Sequence, residues 1–388
     1  MRVGIPIFGC DSGRSGIGRY AGKIIAAMAA ESEAIRIEVL GCPSDLAALA
    51  PQRPNVHRLP LPDVPLAPAA NALWHLARLP ALCRERRYDV LFLPAGNRRL
   101  VWSAPCPTVA TVHDLSSLHV RGKYDFVRSA YIGLALPKLI ARLTHVITVS
   151  EASRRDIVGL TGLDEDDVTV IPNGTDLEMF RPGDPLRARQ RTSGVLGGEE
   201  PYLLYVSRVE HPGKNHAGLI AAYTRWRDLF GRKHKLVLAG PDWDRAKEVH
   251  ACAQSSRYHD DIVFTGFVDD ALLPDLYRGS DAFVFPSLWE GFGIPLLEAM
   301  ASGTPIACGD RSSLPEVAGD AALYFDPQDM DDMAYTLERV IGDTKLRETL
   351  RERGLRRVRR FSWDTAGRAT LSVLEKSVAK PQYGTRPA

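Results

Sequence analysis

Short unbroken apolar runs alternate with stretches of helical period through two successive arrays. This is the habit of doubly wound α/β domains, whose parallel strands are covered on both faces. The first array reads as strands at RVGIPI (2–7), IRIEVL (35–40), DVLFL (89–93), PTVATV (107–112), HVITV (145–149) and VTVI (168–171). The second reads as YLLYVS (202–207), KLVLAG (235–240), DIVFTG (261–266), AFVF (282–285), PIAC (305–308) and ALYF (322–325). Between them runs IPNGTDLEMFRPGDPLRARQRTSGVLGG, rich in turn formers and closed by a diglycine, which predicts a hinge. Two domains are expected, residues 1–180 and 181–360, followed by a segment of helical period, FSWDTAGRATLSVLEKSV (361–378). No repeat at the level of sequence relates the halves. Residues 51–68 carry six prolines and almost no periodicity, which predicts an extended connector leading to the helix NALWHLARLPAL.

Chemistry concentrates where strands hand over to helices. The run AFVF ends at Pro286 and is followed by SLWEGFGIPLLEAMASGTP (287–305). Pro295 suits a first helical position, and Gly303 with Pro305 reads as a helix stop. A strand, a glycine turn and a short helix result. The first N–H groups of a helix have no intrahelical partner, and glycines at 291 and 293 let a phosphate or hydroxyl approach the backbone. Glu290 and Glu298, eight residues apart, can then face one crevice at the carboxyl edge of the sheet.

Arg208 and Lys214 fall in the loop after the first strand of the second array, and Asn215 is placed to cap the helix that follows. Fixed cations there would stabilise a departing diphosphate more than its ground state. The string GCDSGRSGIGRY carries Gly13, Gly16 and Gly18 between strand and helix but lacks GxGxxG spacing, so dinucleotide binding is not indicated. TVHDLS brings His113 to a strand end, with Asp114 beside it to orient the imidazole. TVSEASRRDI does the same for Ser150, Glu151 and Arg154, where Ser150 reads as a helix cap.

With 388 residues, 45% hydrophobic and 25% charged, the chain is long enough for two ordinary cores. A net charge of +2 creates no strong field, so composition gives no support to nucleic-acid binding. Six scattered cysteines without a CxxC pair fit a reducing cytoplasm. MRVGIPIFG enters a strand directly and reaches Asp11 and Arg14 before a signal-peptide core forms, so export is not expected. No apolar stretch approaches the roughly 20 residues needed to span a bilayer. A cytoplasmic protein is expected, soluble or peripheral on the inner face of the membrane.

The acidic clusters DEDD (164–167) and DMDD (329–332) read as loop and helix starts rather than metal sites. SLPE (313–316) has capping-box spacing, which makes Glu316 structural. RERGLRRVRR (351–360) reads as a solvated helix face. Together with FVRSAYIGLALPKLIAR and Arg84, Arg86 and Arg87, it forms a candidate contact with anionic lipid.

The string EGFGIPLLEAMASGTP, with its two glutamates, resembles the signature of retaining glycosyltransferases of family 4, and the resemblance spans nearly the whole chain, most strongly 202–326. It implies the GT-B fold, α/β with two facing Rossmann-like domains, and a C-terminal helix (361–378) that crosses back to the first domain. It also implies a retaining, metal-independent transfer of a sugar from a nucleotide donor, with no cofactor. By the same resemblance Glu290 contacts the donor sugar near its reacting carbon and Glu298 bonds the ribose. The amides of Gly291, Phe292, Gly293 and Ile294 hold sugar hydroxyls and phosphate, Arg208 and Lys214 hold the diphosphate, Gly16 approaches donor phosphate and acceptor, and His113 lies beside the reacting bond. SGIGRY and the overall pattern look most like mannosyltransferases that use GDP-mannose, acting on a lipid-linked (polyprenyl-type) or oligosaccharide acceptor in bacterial polysaccharide or lipopolysaccharide assembly. Base-reading residues are not apparent, so a UDP-sugar stays open as donor. The motif does not separate same-face attack from a covalent intermediate. A nucleotide-sugar epimerase would need other acid/base residues and would lack this Glu pair, and a non-catalytic nucleotide-sugar binder would gain nothing from an intact site.

Overall fold

The computed structural model describes residues 1–8, 10–61, 68–96, 99–120 and 131–379. Two compact units emerge. One contains the chain up to Leu115, the stretch ending at Gly174 and the segment from Ser362 on; the other contains Thr175–Phe361 together with the residues just after Leu115.

The first unit holds a seven-stranded parallel sheet. Its strands are β1 (Arg2–Pro6), β2 (Arg36–Gly41), β3 (Val56–Pro60), β4 (Val90–Leu93), β5 (Thr108–Thr111), β6 (His145–Thr148) and β7 (Val168–Val170), in the spatial order β3-β2-β1-β4-β5-β6-β7. Strand β3 corrects the sequence reading, which took residues 51–68 as a connector. VHRLP shows no apolar alternation because it is an edge strand with mostly exposed side chains, and Pro60 sits at its end, where the missing N–H breaks no ladder. Within the same stretch, 62–67 lie outside the described residues, as do 126–130 of the basic-apolar segment 126–142.

The helix Trp363–Ala379 packs on the helix Gly16–Glu31. Leu371 and Leu374 join Ile24, Ile25 and Met28 in one buried cluster, and Arg368 pairs with Glu31 at 2.8 Å.

The second unit holds a six-stranded parallel sheet. It is built from β8 (Tyr202–Val206), β9 (Lys235–Ala239), β10 (Ile262–Gly266), β11 (Ala282–Phe285), β12 (Ile306–Gly309) and β13 (Ala322–Phe325), ordered β10-β9-β8-β11-β12-β13. Strand β11 has all four residues buried, which is why its sequence is an uninterrupted apolar run. The order in which strands are added reverses across the parallel β8/β11 pair, registered Ala282 to Leu203. Loops leaving two such neighbours diverge to opposite faces and open a crevice at their carboxyl ends. The loop with Arg208 and Lys214 leaves β8, and the Glu290 turn leaves β11. Topology therefore brings together two motifs about 80 residues apart in sequence.

Candidate active site

The turn after β11 delivers Glu290 to a helix running Ile294–Ser302. Gly293 stands at the N-cap position with φ +97°, and a Cβ there would meet Leu314 Cδ2 at 3.1 Å, so both backbone angle and space call for glycine. Pro295 falls in the first turn and Gly303 closes the helix in left-handed conformation, as the sequence reading expects. Among the described residues, the N–H groups of Phe292, Gly293 and Ile294 donate to no protein acceptor. Phe292 itself is buried, with its ring 5.9 Å from that of Phe361.

Lys214 Nζ donates to Glu290 Oε1 at 2.6 Å, so the cationic loop and the glutamate turn are one electrostatic unit. Burial alone would pull the Lys214 ammonium down. The carboxylates of Glu290 and Glu210 outweigh it and raise the ammonium above the ordinary lysine value. Arg208 is more exposed: Nη2 lies 3.6 Å from Glu210, and its guanidinium stacks 4.7 Å from the Trp243 ring centroid. Backbone bonds zip this loop to the one after β9, Val209 N to Pro241 O at 2.9 Å and Trp243 N to Val209 O at 2.9 Å. Sequence reasoning missed Glu210 and Trp243. Glu210 lies inside the same loop and was legible there, whereas Trp243 follows a different strand and reaches Arg208 only through the sheet.

Asn215 does not cap the helix His216–Phe230 as expected. Its backbone is left-handed (φ +55°), its side chain makes no capping bond to the helix amides, and Nδ2 donates instead to Pro286 O (3.2 Å) and Pro327 O (2.6 Å). The residue thus ties the cationic loop to the end of β11. Tyr205 adds a second tie, donating its hydroxyl to Lys214 O at 2.9 Å and lying 3.1 Å from Ser287 Oγ.

Glu298 is buried in the second turn of its helix, where Oε2 accepts from the Tyr277 hydroxyl at 2.7 Å. Tyr277 comes from the preceding helix, Leu273–Gly279, and nothing local in the sequence marks it. Nor does SLPE form a capping box. Ser313 has helical backbone angles, and its hydroxyl lies 3.0 Å from the carbonyls of both Glu290 and Phe292. DMDD behaves as expected: Asp329 caps the helix Met330–Gly342 by accepting from Asp331 N and Asp332 N. In DEDD, Glu165 pairs with Arg154 at 3.0 Å. The arginine run is less solvated than expected, since Arg357 donates to Val317 O and Glu316 O, both at 2.6 Å. A cavity of about 550 Å3 lies elsewhere on this unit, lined by Asp228, Asp326, Asp329 and Asp331 together with Arg225, a net acidic wall that suits a diphosphate poorly.

In the first unit, Gly16 opens the helix Gly16–Glu31, and a Cβ there would meet nothing within 4 Å among the described residues. Gly18 is the sterically required glycine, since its Cβ would fall 2.2 Å from Cys10 O. Ser15 caps the helix by accepting from Gly18 N. About one turn on, Tyr20 links this helix to the end of β5, with its hydroxyl 2.9 Å from Thr111 Oγ1 and its ring edge-on to His113 at 4.6 Å. His113 is buried and its Nε2–H donates to Pro94 O at 2.8 Å. Burial holds its pKa below the ordinary histidine value, against the pull of the Pro94 carbonyl and Asp114. The imidazole is therefore neutral with its proton on Nε2, which makes Nδ1 the acceptor. Ser153 Oγ donates to His113 O at 3.0 Å, and Ser150 caps the helix Glu151–Thr161. The structure thus joins Lys214, Arg208 and Glu290 in the second unit, and the Gly16 helix and His113 in the first.

Two family models cover most of the chain: "Glycosyltransferase Family 4" over residues 14–179 and "Glycosyl transferases group 1" over 187–357. The chain is 31% identical over 267 residues to O-antigen chain mannosyltransferase B of Escherichia coli, covering 68% of this chain and 69% of that protein. It is 29% identical over 357 residues to the phosphatidyl-myo-inositol mannosyltransferase of Mycolicibacterium smegmatis, covering 85% of each. Among solved structures, Anabaena HepE in complex with UDP-glucose superposes with a TM-score of 0.76 at 20% identity, over 97% of this chain and 100% of that one. On its sequence relatives, its two parallel sheets and its shared fold, this chain belongs to glycosyltransferase family 4 and is a glycosyltransferase of GT-B architecture.

Proposed function

We infer that the protein transfers mannose from GDP-mannose, with retention and without a metal, to a hydroxyl of a lipid-linked or oligosaccharide acceptor in bacterial polysaccharide or lipopolysaccharide assembly. The observation that carries this reading is the Lys214–Glu290 pair at the β8/β11 switch point, beside Arg208 and the unpaired amides of Phe292, Gly293 and Ile294. The acceptor hydroxyl forms the new bond to the anomeric carbon, the bond from that carbon to the diphosphate oxygen breaks, and the leaving diphosphate takes the electron pair and receives the hydroxyl proton. Arg208, Lys214 and the turn amides stabilise the charge that appears on it. Glu290 orients the donor sugar while holding Lys214 in place, and Glu298, fixed by Tyr277, receives the ribose. His113, neutral, stands beside the reacting bond as a contact to the donor sugar, and the space at Gly16 admits phosphate or acceptor.

The two relatives named above are both described as mannosyltransferases, which supports mannose as the sugar. Work at the membrane surface is consistent with the exposed Arg356, Arg359 and Arg360, while no helix among the described residues is long and apolar enough to cross a bilayer. The test is a donor panel (GDP-mannose and UDP-sugars) against lipid extracts, with the product anomer read by NMR. Turnover of GDP-mannose into an α-linked product supports the reading, and exclusive use of a UDP-sugar replaces the donor. Isomerised donor without acceptor would make the protein an epimerase, and binding without turnover a nucleotide-sugar carrier. Binding to anionic vesicles that is insensitive to salt and lipid charge would remove the membrane assignment.

A further inference from the structure

Behind the Glu290 turn stand two consecutive serines from the loop after β12. Ser312 Oγ accepts from Glu290 N at 3.1 Å. Ser313 is completely buried and its hydroxyl lies 3.0 Å from Glu290 O and 3.0 Å from Phe292 O. Ser312 holds a left-handed backbone (φ +58°), a conformation uncommon outside glycine and asparagine, and that local strain persists where the surroundings enforce it. Leu314, next in line, closes against Gly293. Three successive residues thus hold one face of the turn, all from the segment that follows the neighbouring strand β12 rather than from the turn itself.

The consequence follows from peptide planarity. In a trans peptide the C=O of one residue points opposite to the N–H of the next. Drawing the Phe292 carbonyl to the Ser313 hydroxyl therefore aims the N–H of Gly293, which has no protein acceptor among the described residues, away from Ser313. The successive N–H groups of Phe292, Gly293 and Ile294 then offer a concavity suited to an anion. Ser312 fixes the preceding plane and with it the Cα from which the Glu290 side chain departs toward Lys214.

We propose that Ser312 and Ser313 are positioning residues for the transfer, a hydroxyl clamp that sets the direction of the Glu290 carboxylate and aims the turn amides at the donor's diphosphate and sugar. The proposal rests on the glycosyltransferase reading of this turn. A purely architectural role would make activity follow stability, and Ser312→Gly separates the two. Glycine accepts the left-handed backbone without strain, so the thermal midpoint stays at or above that of the parent, while the hydrogen bond to Glu290 N is lost.

The experiment compares the full-length parent, Ser312→Gly and Ser313→Ala in thermal unfolding, in steady-state donor turnover and in calorimetric titration with GDP and UDP. Each substitution is expected to lower kcat/KM for the donor by about tenfold or more, the scale of one directing hydrogen bond between polar groups. A loss of about fivefold or more in nucleoside-diphosphate affinity should accompany it. Ser312→Gly at parental stability but with both losses supports the clamp, and it decides the matter even where Ser313→Ala does not fold. Turnover and affinity within twofold of the parent in Ser312→Gly overturn it. A parent that turns over no donor on the panel sinks the functional reading instead, and the nucleotide titration then decides the clamp by the same thresholds.

Discussion

Replacing Lys214 by Met keeps most of the apolar stem and deletes the charge that meets Glu290. At 2.6 Å and an effective dielectric near 20, the gross attraction is about 6 kcal/mol, most of it offset by the desolvation of two side chains that are 21% and 13% exposed. Removing one partner leaves Glu290 uncompensated, so Lys214→Met should destabilise the protein by about 2–3 kcal/mol, roughly 5 °C or more in thermal midpoint. Turnover should fall about 100- to 1,000-fold, the usual loss for one preorganised transition-state partner. The double variant Lys214→Met/Glu290→Gln separates the two roles. With no orphaned charge it should recover stability to within about 1 kcal/mol of the parent, a coupling visible in a double-mutant cycle, while turnover stays low. The assays are thermal and urea unfolding together with donor turnover at saturating donor. Turnover within threefold of the parent in Lys214→Met would refute the role of the ammonium at the leaving group, and a double variant as unstable as the single would refute its role in holding the Glu290 turn.

Arg208→Ala should lower turnover by at least about 100-fold while shifting the thermal midpoint little, because its ion pair and its stack on Trp243 are partly exposed; a rate near that of the parent in steady-state assays would refute its phosphate role. Activity is expected to persist in excess EDTA, and complete loss that divalent cation reverses would direct attention back to the DEDD and DMDD clusters. Acid should destabilise the fold through buried neutral histidines. Burial lowers His75 and His216 to about 4 and His113 below the ordinary value, so the unfolded chain takes up protons first. Their contribution is complete above about pH 6.5 and disappears as pH falls toward about 4, so urea midpoints should drop across that window and drop less in His75→Phe; an equal drop in the two proteins would overturn this. Lys214 acts in the opposite direction: its raised pKa preserves its contribution below about pH 10.4, and the loss comes only as pH rises through the folded value.

Much of this protein is written locally. A strand buried on both faces must be a continuous apolar run, so β11 and its neighbours stand out in the sequence, and a helix that starts at Gly293 and stops at Gly303 carries its own punctuation. The spacing of Glu290 and Glu298 and the placing of Arg208 and Lys214 after β8 are legible for the same reason. An edge strand such as Val56–Pro60 has no such signature, because exposed side chains are under no pressure to be apolar. What one residue does for another across the sheet is also invisible in one dimension. Asn215 and Ser313 both stand at the start of a helix, and sequence logic makes each a cap, yet each spends its hydrogen bonds on the carbonyls of neighbouring segments. Tyr277 beneath Glu298, Trp243 over Arg208 and Tyr20 against His113 belong to the same class. Local sequence determined the elements and their chemical endpoints because strand burial and helix punctuation depend on near neighbours. Only the tertiary structure decided which partners fix those endpoints, because strand order brings together residues that the chain holds far apart.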